Sequence, residues 1–358
     1  MRAAVLFKYN YPLEVRDVNL SPPKEGEIKV KVVSAGVCGS ELKAISGDYG
    51  IPLPFIPGHE VAGIVEEVGP NVTKLKPKDK VVISFIFPCG KCRMCIEGKE
   101  NYCETALKYR NKGVLLDGTS RLSINGERAF HYLASGFSEY CVVPETAATK
   151  VEFDYDLKFL APLGCAGLTA YGAVASSEIK PGESVAVLGA GGVGLSIVQL
   201  LKSSGAGEII VIDVEDWKLE KALEIGATVI INANKENVTE AINKIGGVDV
   251  AIEAVGLPQT ISEAIKIVKT NGRAIVVGIT HTNVTVPINF IEVVRKGIRI
   301  IGNRGGRPRV DMPKLLELVR LGKFSTLKLI SNTYKLDEVN EAIKSLKEGK
   351  SIRSLVLI

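Results

Sequence analysis

A chain of 358 residues with 46% hydrophobic content has room for two domains and a sizeable core. Its 45 basic and 40 acidic residues are interspersed and leave a net charge of +5, which gives no footprint for nucleic acid or a membrane surface and points to small ligands. No apolar run approaches the roughly 20 residues of a membrane span, no internal repeat is visible, and the N-terminus begins with the strand-like AAVLF rather than a signal peptide, so a cytoplasmic protein is expected.

In chain order, the first ~150 residues carry short β patterns separated by Pro, Gly, Asn and Asp turns: AAVLFK, EIKVKVVSAGV, HEVAGIVEEVG, DKVVISFI and FSEYCVVP. Such spacing predicts a compact, barrel-like β domain. From Ser184 the texture changes to apolar strands, SVAVLG, EIIVID, TVII, VDVAIE, GRAIVVG and IRIIG, with helical stretches such as LSIVQLLKSSG and WKLEKALEIG between them. That alternation predicts an α/β fold, a doubly wound, six-stranded parallel sheet of the Rossmann type. After Gly305, PKLLELVRLGK and LDEVNEAIKSLKEGK read as amphipathic helices before a last strand, SLVLI, a tail expected to return to the first domain.

Within the β domain, PCGKCRMCIEGKENYC sets Cys89, Cys92 and Cys95 at two-residue gaps, with Cys103 seven residues further on. Short gaps let thiolates converge on one ion at about 2.3 Å, and four sulfurs close a zinc tetrahedron that leaves no position for substrate. The competing readings are a disulfide pair, which a reducing cytosol disfavours, an iron-sulfur cluster, whose usual ferredoxin spacings are absent, and unrelated free thiols.

The first turn of the parallel sheet carries GAGGVG at 189–194, comprising Gly189, Gly191, Gly192, Val193 and Gly194 among its residues. It follows a strand and opens a helix, which lets backbone approach a pyrophosphate at the positive helix end. Asp213, at the end of EIIVID, is the acid placed to accept hydrogen bonds from the adenosine ribose and to repel a 2'-phosphate; NAD is therefore expected over NADP. Its alternative is a solvated strand-end carboxylate.

Cys38 in SAGVCGSE, His59 in PFIPGHEVAG and Cys165 in APLGCAGLTAYG stand singly. Each alone reads as a packed core residue. Beside a nucleotide fold, two thiolates and an imidazole acquire a second meaning, because they leave zinc one open corner for chemistry.

The motifs GVCGSE, GHEVAGIVEEVG, CGKCRMC with Cys103, GCAGLTAYGA, GAGGVG and GKSIR fall in one order along the whole chain, which resembles the zinc-dependent medium-chain alcohol dehydrogenases. That resemblance implies a GroES-like catalytic domain over 1–166 and 305–358, with a structural zinc lobe at about 88–104, and a Rossmann NAD-binding domain over 167–304. It implies two zinc ions per chain, one catalytic on Cys38, His59 and Cys165 and one structural on Cys89, Cys92, Cys95 and Cys103. It further implies NAD as cofactor and hydride transfer from a zinc-bound alkoxide, interconverting a small alcohol with an aldehyde or ketone.

By the same resemblance Ser40 takes the substrate proton, Glu41 hydrogen-bonds the ligand His59 and Glu60 sits near the metal; the alternatives are a turn serine and surface carboxylates. Lys218 matches an adenosine-ribose contact, or a solvated helix face, and Phe85 a residue lining the substrate pocket, or plain core. Two positions depart from the pattern. Lys43 stands where many members carry a relay histidine, and a lysine is a poor proton acceptor near neutral pH, so protons are expected to leave through Ser40, the ribose and water. Gly39 replaces a basic residue of some relatives, leaving more of the phosphate contact to Arg353, whose alternative is a surface arginine. Cys141 reads as buried core, and His131 and His281, in loop-like segments, receive no role.

Thiol-adduct formaldehyde dehydrogenases, which DGTSRLSINGE resembles, and polyol or threonine dehydrogenases are the related alternatives; Cys165 favours the alcohol branch. A zinc-binding interaction or nucleic-acid module would explain the four-cysteine lobe but not GAGGVG or the scattered residues. Apolar strands near IRIIG lead to the expectation of a homo-oligomer, a dimer or tetramer.

Overall fold

The computed structural model describes residues 1–280 and 284–358, so His281 lies outside the described residues. The chain divides into two compact units, one of Met1–Leu168, Arg307–Arg320 and Leu329–Ile358, the other of Thr169–Gly306 and Leu321–Lys328. Leu321–Lys328 packs with the second unit: Gln199 accepts from the Ser325 N–H at 2.8 Å and donates to the Ser325 carbonyl at 3.2 Å.

The first unit is built on a seven-stranded sheet. Its central strand, Glu27–Val37, pairs antiparallel with Glu60–Val68 on one side and with Arg353–Leu357 on the other, and also with Tyr140–Pro144. Glu60–Val68 then pairs with Lys80–Ile83. Alternation of Ile and Val along Glu27–Val37 buries Ile28, Val30 and Val32 in one apolar core with Val61, Val65, Val81, Ile83, Phe137 and Val356. The tail ends in Arg353–Leu357, paired with the central strand, and brings a further strand that its polar ISNTYK pattern conceals: Ile330–Lys335 lies parallel to Arg353–Leu357. Cys141 is buried in Tyr140–Pro144, where burial alone pushes its thiol up to about 12.

The second unit holds six parallel strands, β1 (Val185–Leu188), β2 (Ile209–Asp213), β3 (Val229–Asn232), β4 (Val248–Glu253), β5 (Val268–Val276) and β6 (Arg299–Gly302). They run in the order β3-β2-β1-β4-β5-β6. This is the doubly wound Rossmann order, whose direction of winding reverses between β1 and β4. The strands read as near-continuous Val and Ile runs because a parallel sheet is covered on both faces. Among the described residues no helix is long and apolar enough to cross a membrane.

Candidate metal and dinucleotide sites

Strand register brings the scattered residues of the first unit to one end of its sheet. Gly36 faces Glu60 across one ladder and Val37 faces Ser354 across the next, so Cys38, His59, Glu60 and Arg353 emerge side by side. On the far side of Glu60–Val68, Val61 faces Ile83, and just beyond Ile83 the Phe85 N–H donates to the Gly164 carbonyl at 3.0 Å, setting Cys165 at the same end. Ligand atoms of Cys38, His59, Glu60 and Cys165 all lie within 4.8 Å of one another, and all four residues are buried. A zinc tetrahedron with bonds of about 2.3 Å has edges of about 3.8 Å, so the donor set fits the ion.

Glu41 organises this corner. It lies in the first turn of the helix Gly39–Ser46, where its Oε2 accepts from the Cys38 N–H at 2.9 Å, while Oε1 accepts from the His59 N–H at 3.2 Å and pairs with His59 Nδ1. A histidine held through Nδ1 turns Nε2 to the ligand position. Burial disfavours charge on His59, but Glu41 and Cys38 outweigh it and hold the imidazole well above its ordinary value. The Cys165 thiol donates to Cys38, which lies well below the ordinary thiol value, and Cys165 correspondingly well above.

Burial pushes Glu60 up to about 8 against the opposing charge of Arg353. Its Oε1 meets Arg353 at 3.3 Å and accepts from the Ala166 N–H at 3.3 Å, whereas Oε2 is buried with no hydrogen-bond partner. A buried orphan acceptor inside a thiolate–imidazole cluster is a place for a cation or its water. Arg353 is 3% exposed, which excludes the surface-arginine reading. Ser40 follows on the same helix, and the Tyr132 hydroxyl reaches its carbonyl at 3.5 Å.

Three aromatics frame the corner. Tyr132 meets the His59 ring edge-on at 5.5 Å, Phe85 does so at 6.3 Å, and Tyr49 stacks on Tyr132 at 6.1 Å. Tyr132 and Tyr49 carried no spacing signal in the sequence, since they join the site only through tertiary packing.

Cys89, Cys92, Cys95 and Cys103 form the second metal-competent group among the described residues, also within 4.8 Å. None is disulfide-bonded. Backbone N–H groups of Cys92 and Ala106 point at Cys89 and Cys103 sulfur at 3.3 and 3.5 Å, as they do where thiolates carry negative charge. Burial acts to raise Cys89, but hydrogen bonds from Thr105 and from backbone bring it down to about 6. The lobe is tied to the first unit by Glu100, which accepts from the Arg309 N–H at 2.6 Å and pairs with Arg309 Nε at 2.5 Å.

In the second unit the glycine turn has three distinct jobs. Gly189 turns at φ +102°; a Cβ on Gly191 would meet nothing within 4 Å, leaving backbone open to a ligand; a Cβ on Gly194 would stand 1.8 Å from the Gly189 carbonyl, so only glycine lets helix Gly192–Ser203 pack that close to β1. Gly192 and Val193 open that helix. Asp213 ends β2 with Oδ2 accepting from the Ala190 N–H at 2.7 Å and Oδ1 from the Val214 and Glu215 N–H groups at 2.8 and 3.1 Å. Lys218 lies on the helix Asp216–Ile225 with its ammonium 5.6 Å from the Trp217 ring. The exposed apolar side chains of Val214, Val255 and Leu257, just past the carboxyl ends of β2 and β4, escaped the sequence reading because isolated apolar loop residues have no period.

His131 corrects an expectation. It is not in a loop but ends the strand Glu127–His131, buried, with Nε2 accepting from the Arg121 N–H at 3.1 Å and Nδ1 beside Ser135 Oγ at 3.2 Å.

Both halves match known sequences. Residues 24–153 match the family described as alcohol dehydrogenase GroES-like domain, and 192–320 match zinc-binding dehydrogenase. S-(hydroxymethyl)glutathione dehydrogenase of Escherichia coli O1:K1 / APEC is 36% identical over 369 residues, spanning 99% of each chain. The crystal structure of an alcohol dehydrogenase zinc-binding domain protein from Burkholderia ambifaria superposes with a TM-score of 0.96 at 33% identity, covering 100% of this chain and 98% of that one. Benzyl alcohol dehydrogenase from Acinetobacter calcoaceticus follows with 0.95 at 31%, covering 100% and 99%.

A GroES-like domain joined to a Rossmann sheet defines a class of oxidoreductases. Within that class, this chain belongs to the zinc-dependent medium-chain alcohol dehydrogenase family.

Proposed function

We propose that the protein is an NAD-dependent alcohol dehydrogenase carrying two zinc ions per chain, and that it interconverts alcohols with aldehydes or ketones. The observation that carries this reading is the convergence of Cys38, His59 and Cys165, with Glu41 fixing the imidazole, in a chain that also bears an open glycine turn. A zinc ion on those three residues supplies Lewis acidity to an alcohol oxygen, and the nicotinamide supplies the hydride acceptor.

The remaining work falls to the chain. Glu41 holds His59 in one tautomer, and Ser40 Oγ would take the alcohol proton on its way to water, with no part for Lys43. Arg353 both restrains Glu60 and meets the cofactor phosphates. Gly189, Gly191, Gly192, Val193 and Gly194 receive the pyrophosphate, Asp213 accepts from the ribose with lone pairs left beyond its backbone bonds, Lys218 contacts the same ribose, and Phe85 lines the substrate pocket. The four-cysteine lobe, closed by its own sulfurs, serves structure alone. Exposed Phe290, Ile291 and Val294, on the helix that precedes the edge strand β6 in the chain, support a homo-oligomer.

A second reading is favoured by the 36% identity to S-(hydroxymethyl)glutathione dehydrogenase along 99% of the chain: oxidation of a thiol adduct of formaldehyde. The test is a panel of primary, secondary, aromatic, polyol and thiol-adduct alcohols, each with NAD and NADP. Turnover of simple alcohols with NAD is expected; turnover confined to the thiol adduct would move the assignment to the second reading, and dependence on NADP would overturn the role given to Asp213.

A further inference from the structure

Glu253 ends β4 and is fully buried, yet nothing in the proposed chemistry uses it. Its Oε1 accepts three hydrogen bonds, from the Val255 N–H at 2.8 Å, the Gly256 N–H at 2.7 Å and Thr260 Oγ1 at 2.8 Å. Its main-chain carbonyl accepts two more, from the Val277 and Gly278 N–H groups at 2.9 and 3.2 Å. Oε2 has no hydrogen-bond partner and lies over Gly278, where a Cβ would meet it at 2.6 Å and the Gly256 nitrogen at 2.1 Å. One residue therefore folds the strap 254–257 back over the end of β4 and locks it to the exit of β5.

That strap abuts the glycine turn. A Cβ on Gly189 would stand 2.7 Å from Val255 Cγ2 and 3.4 Å from the Ala254 carbonyl carbon, and the Ala254 N–H donates to the Leu188 carbonyl at 2.9 Å. The contact falls between β1 and β4, where the strand order reverses and where open α/β sheets take their ligands. Burying a carboxylate costs several kcal/mol unless its bonds repay it, and a leucine would fill the same space without that cost. What leucine lacks is an acceptor for three donors of one strap.

We infer that Glu253 is a positioning residue for the dinucleotide: it holds the strap 254–257 against the Gly189 turn, so that exposed Val255 and Leu257 offer the cofactor a fixed apolar ledge. The inference rests on the NAD-binding reading above. It acts through Oε1 as acceptor rather than through charge. Glutamine, with its amide oxygen in that place, keeps the three bonds, leucine removes all of them, and Thr260→Val removes one together with the hydroxyl's contact to the Leu257 carbonyl of the same strap at 2.9 Å.

NADH binding to the zinc-loaded protein can be followed through Trp217, the single tryptophan, by energy transfer to the nicotinamide, with a thermal melt of each variant alongside. Glu253→Gln should bind within about twofold of the parent, Glu253→Leu about tenfold or more weakly, and Thr260→Val about threefold more weakly, one ordinary net hydrogen bond being worth roughly threefold to tenfold. Should Glu253→Leu fail to fold, Thr260→Val decides alone. A lowered melting temperature with unchanged NADH affinity would make Glu253 merely structural and overturn the inference. So would a Glu253→Gln variant as weak as Glu253→Leu, which would transfer the effect to charge. A parent protein that shows no NADH binding overturns the NAD reading and this inference with it; a binding parent with unaffected variants overturns the inference alone.

Discussion

At the scale of single residues, Glu41 shows how much one carboxylate can organise. It caps the helix that presents Ser40 while holding both the backbone and the ring of His59. Glu41→Ala is predicted to weaken metal binding at the Cys38–His59–Cys165 set about 10- to 100-fold while sparing the four-cysteine lobe, as chelator competition would show; equal loss at both sites would contradict this. The role of Glu41 toward His59 was legible through the resemblance of GVCGSE to its family, but its bond to the Cys38 N–H was not, because a capping bond to a cysteine has no sequence signature.

His131 was illegible for a related reason. A histidine in a short polar strand looks like a loop residue until Arg121 and Ser135 are seen to satisfy both ring nitrogens. Burial, reinforced by the nearby Arg121 charge, pushes it down to about 3. The unfolded chain takes up a proton at this position below its ordinary value of 6.5 and the folded chain does not. Its contribution to stability is therefore complete above that value and is lost as pH falls from 6.5 toward 3, by at most about 1.4 kcal/mol per pH unit. His131→Gln should flatten the fall in melting temperature between about pH 6.5 and pH 4, and an unchanged slope would refute the assignment.

At the scale of elements, the strands of the parallel sheet were readable as short apolar runs, the inner β1, β2 and β4 because they are buried on both faces and the edge strand β6 by its Ile pair although it is largely exposed. Two elements of the C-terminal return were not. Pro313 reads as a helix start, yet the helix is Pro308–Arg320 with Pro313 inside it, its beginning fixed by Arg307 pairing with Asp311 and by Glu100 accepting from Arg309. Strand Ile330–Lys335 is mostly solvent-facing, so its polar side chains hide it. Since Glu100 alone gathers the Arg309 N–H and guanidinium from across the lobe, Glu100→Ala should lower stability by about 1–3 kcal/mol in a denaturant melt. A variant as stable as the parent would show that the lobe is held by other contacts.

At the scale of the whole molecule, the division between clustered and scattered metal-competent residues acquires a structural cause. The clustered four need only a local turn, and spacing alone announced them. The scattered three are drawn together by antiparallel register, in which Gly36 opposes Glu60 and Val61 opposes Ile83. Register is fixed by which face of a strand is buried rather than by any local motif, which is why the scattered set was legible only beside the GAGGVG unit and through the family likeness. The two sets should therefore respond independently. Zinc content measured on the purified protein, on Cys38→Ser and on Cys103→Ser tests this most directly. Two zinc ions per chain are predicted for the parent. Cys38→Ser should keep one, with its fold intact and alcohol oxidation abolished, while Cys103→Ser should lose the lobe ion and unfold at lower temperature. One zinc ion in the parent, or alcohol oxidation that survives Cys38→Ser, would contradict the account.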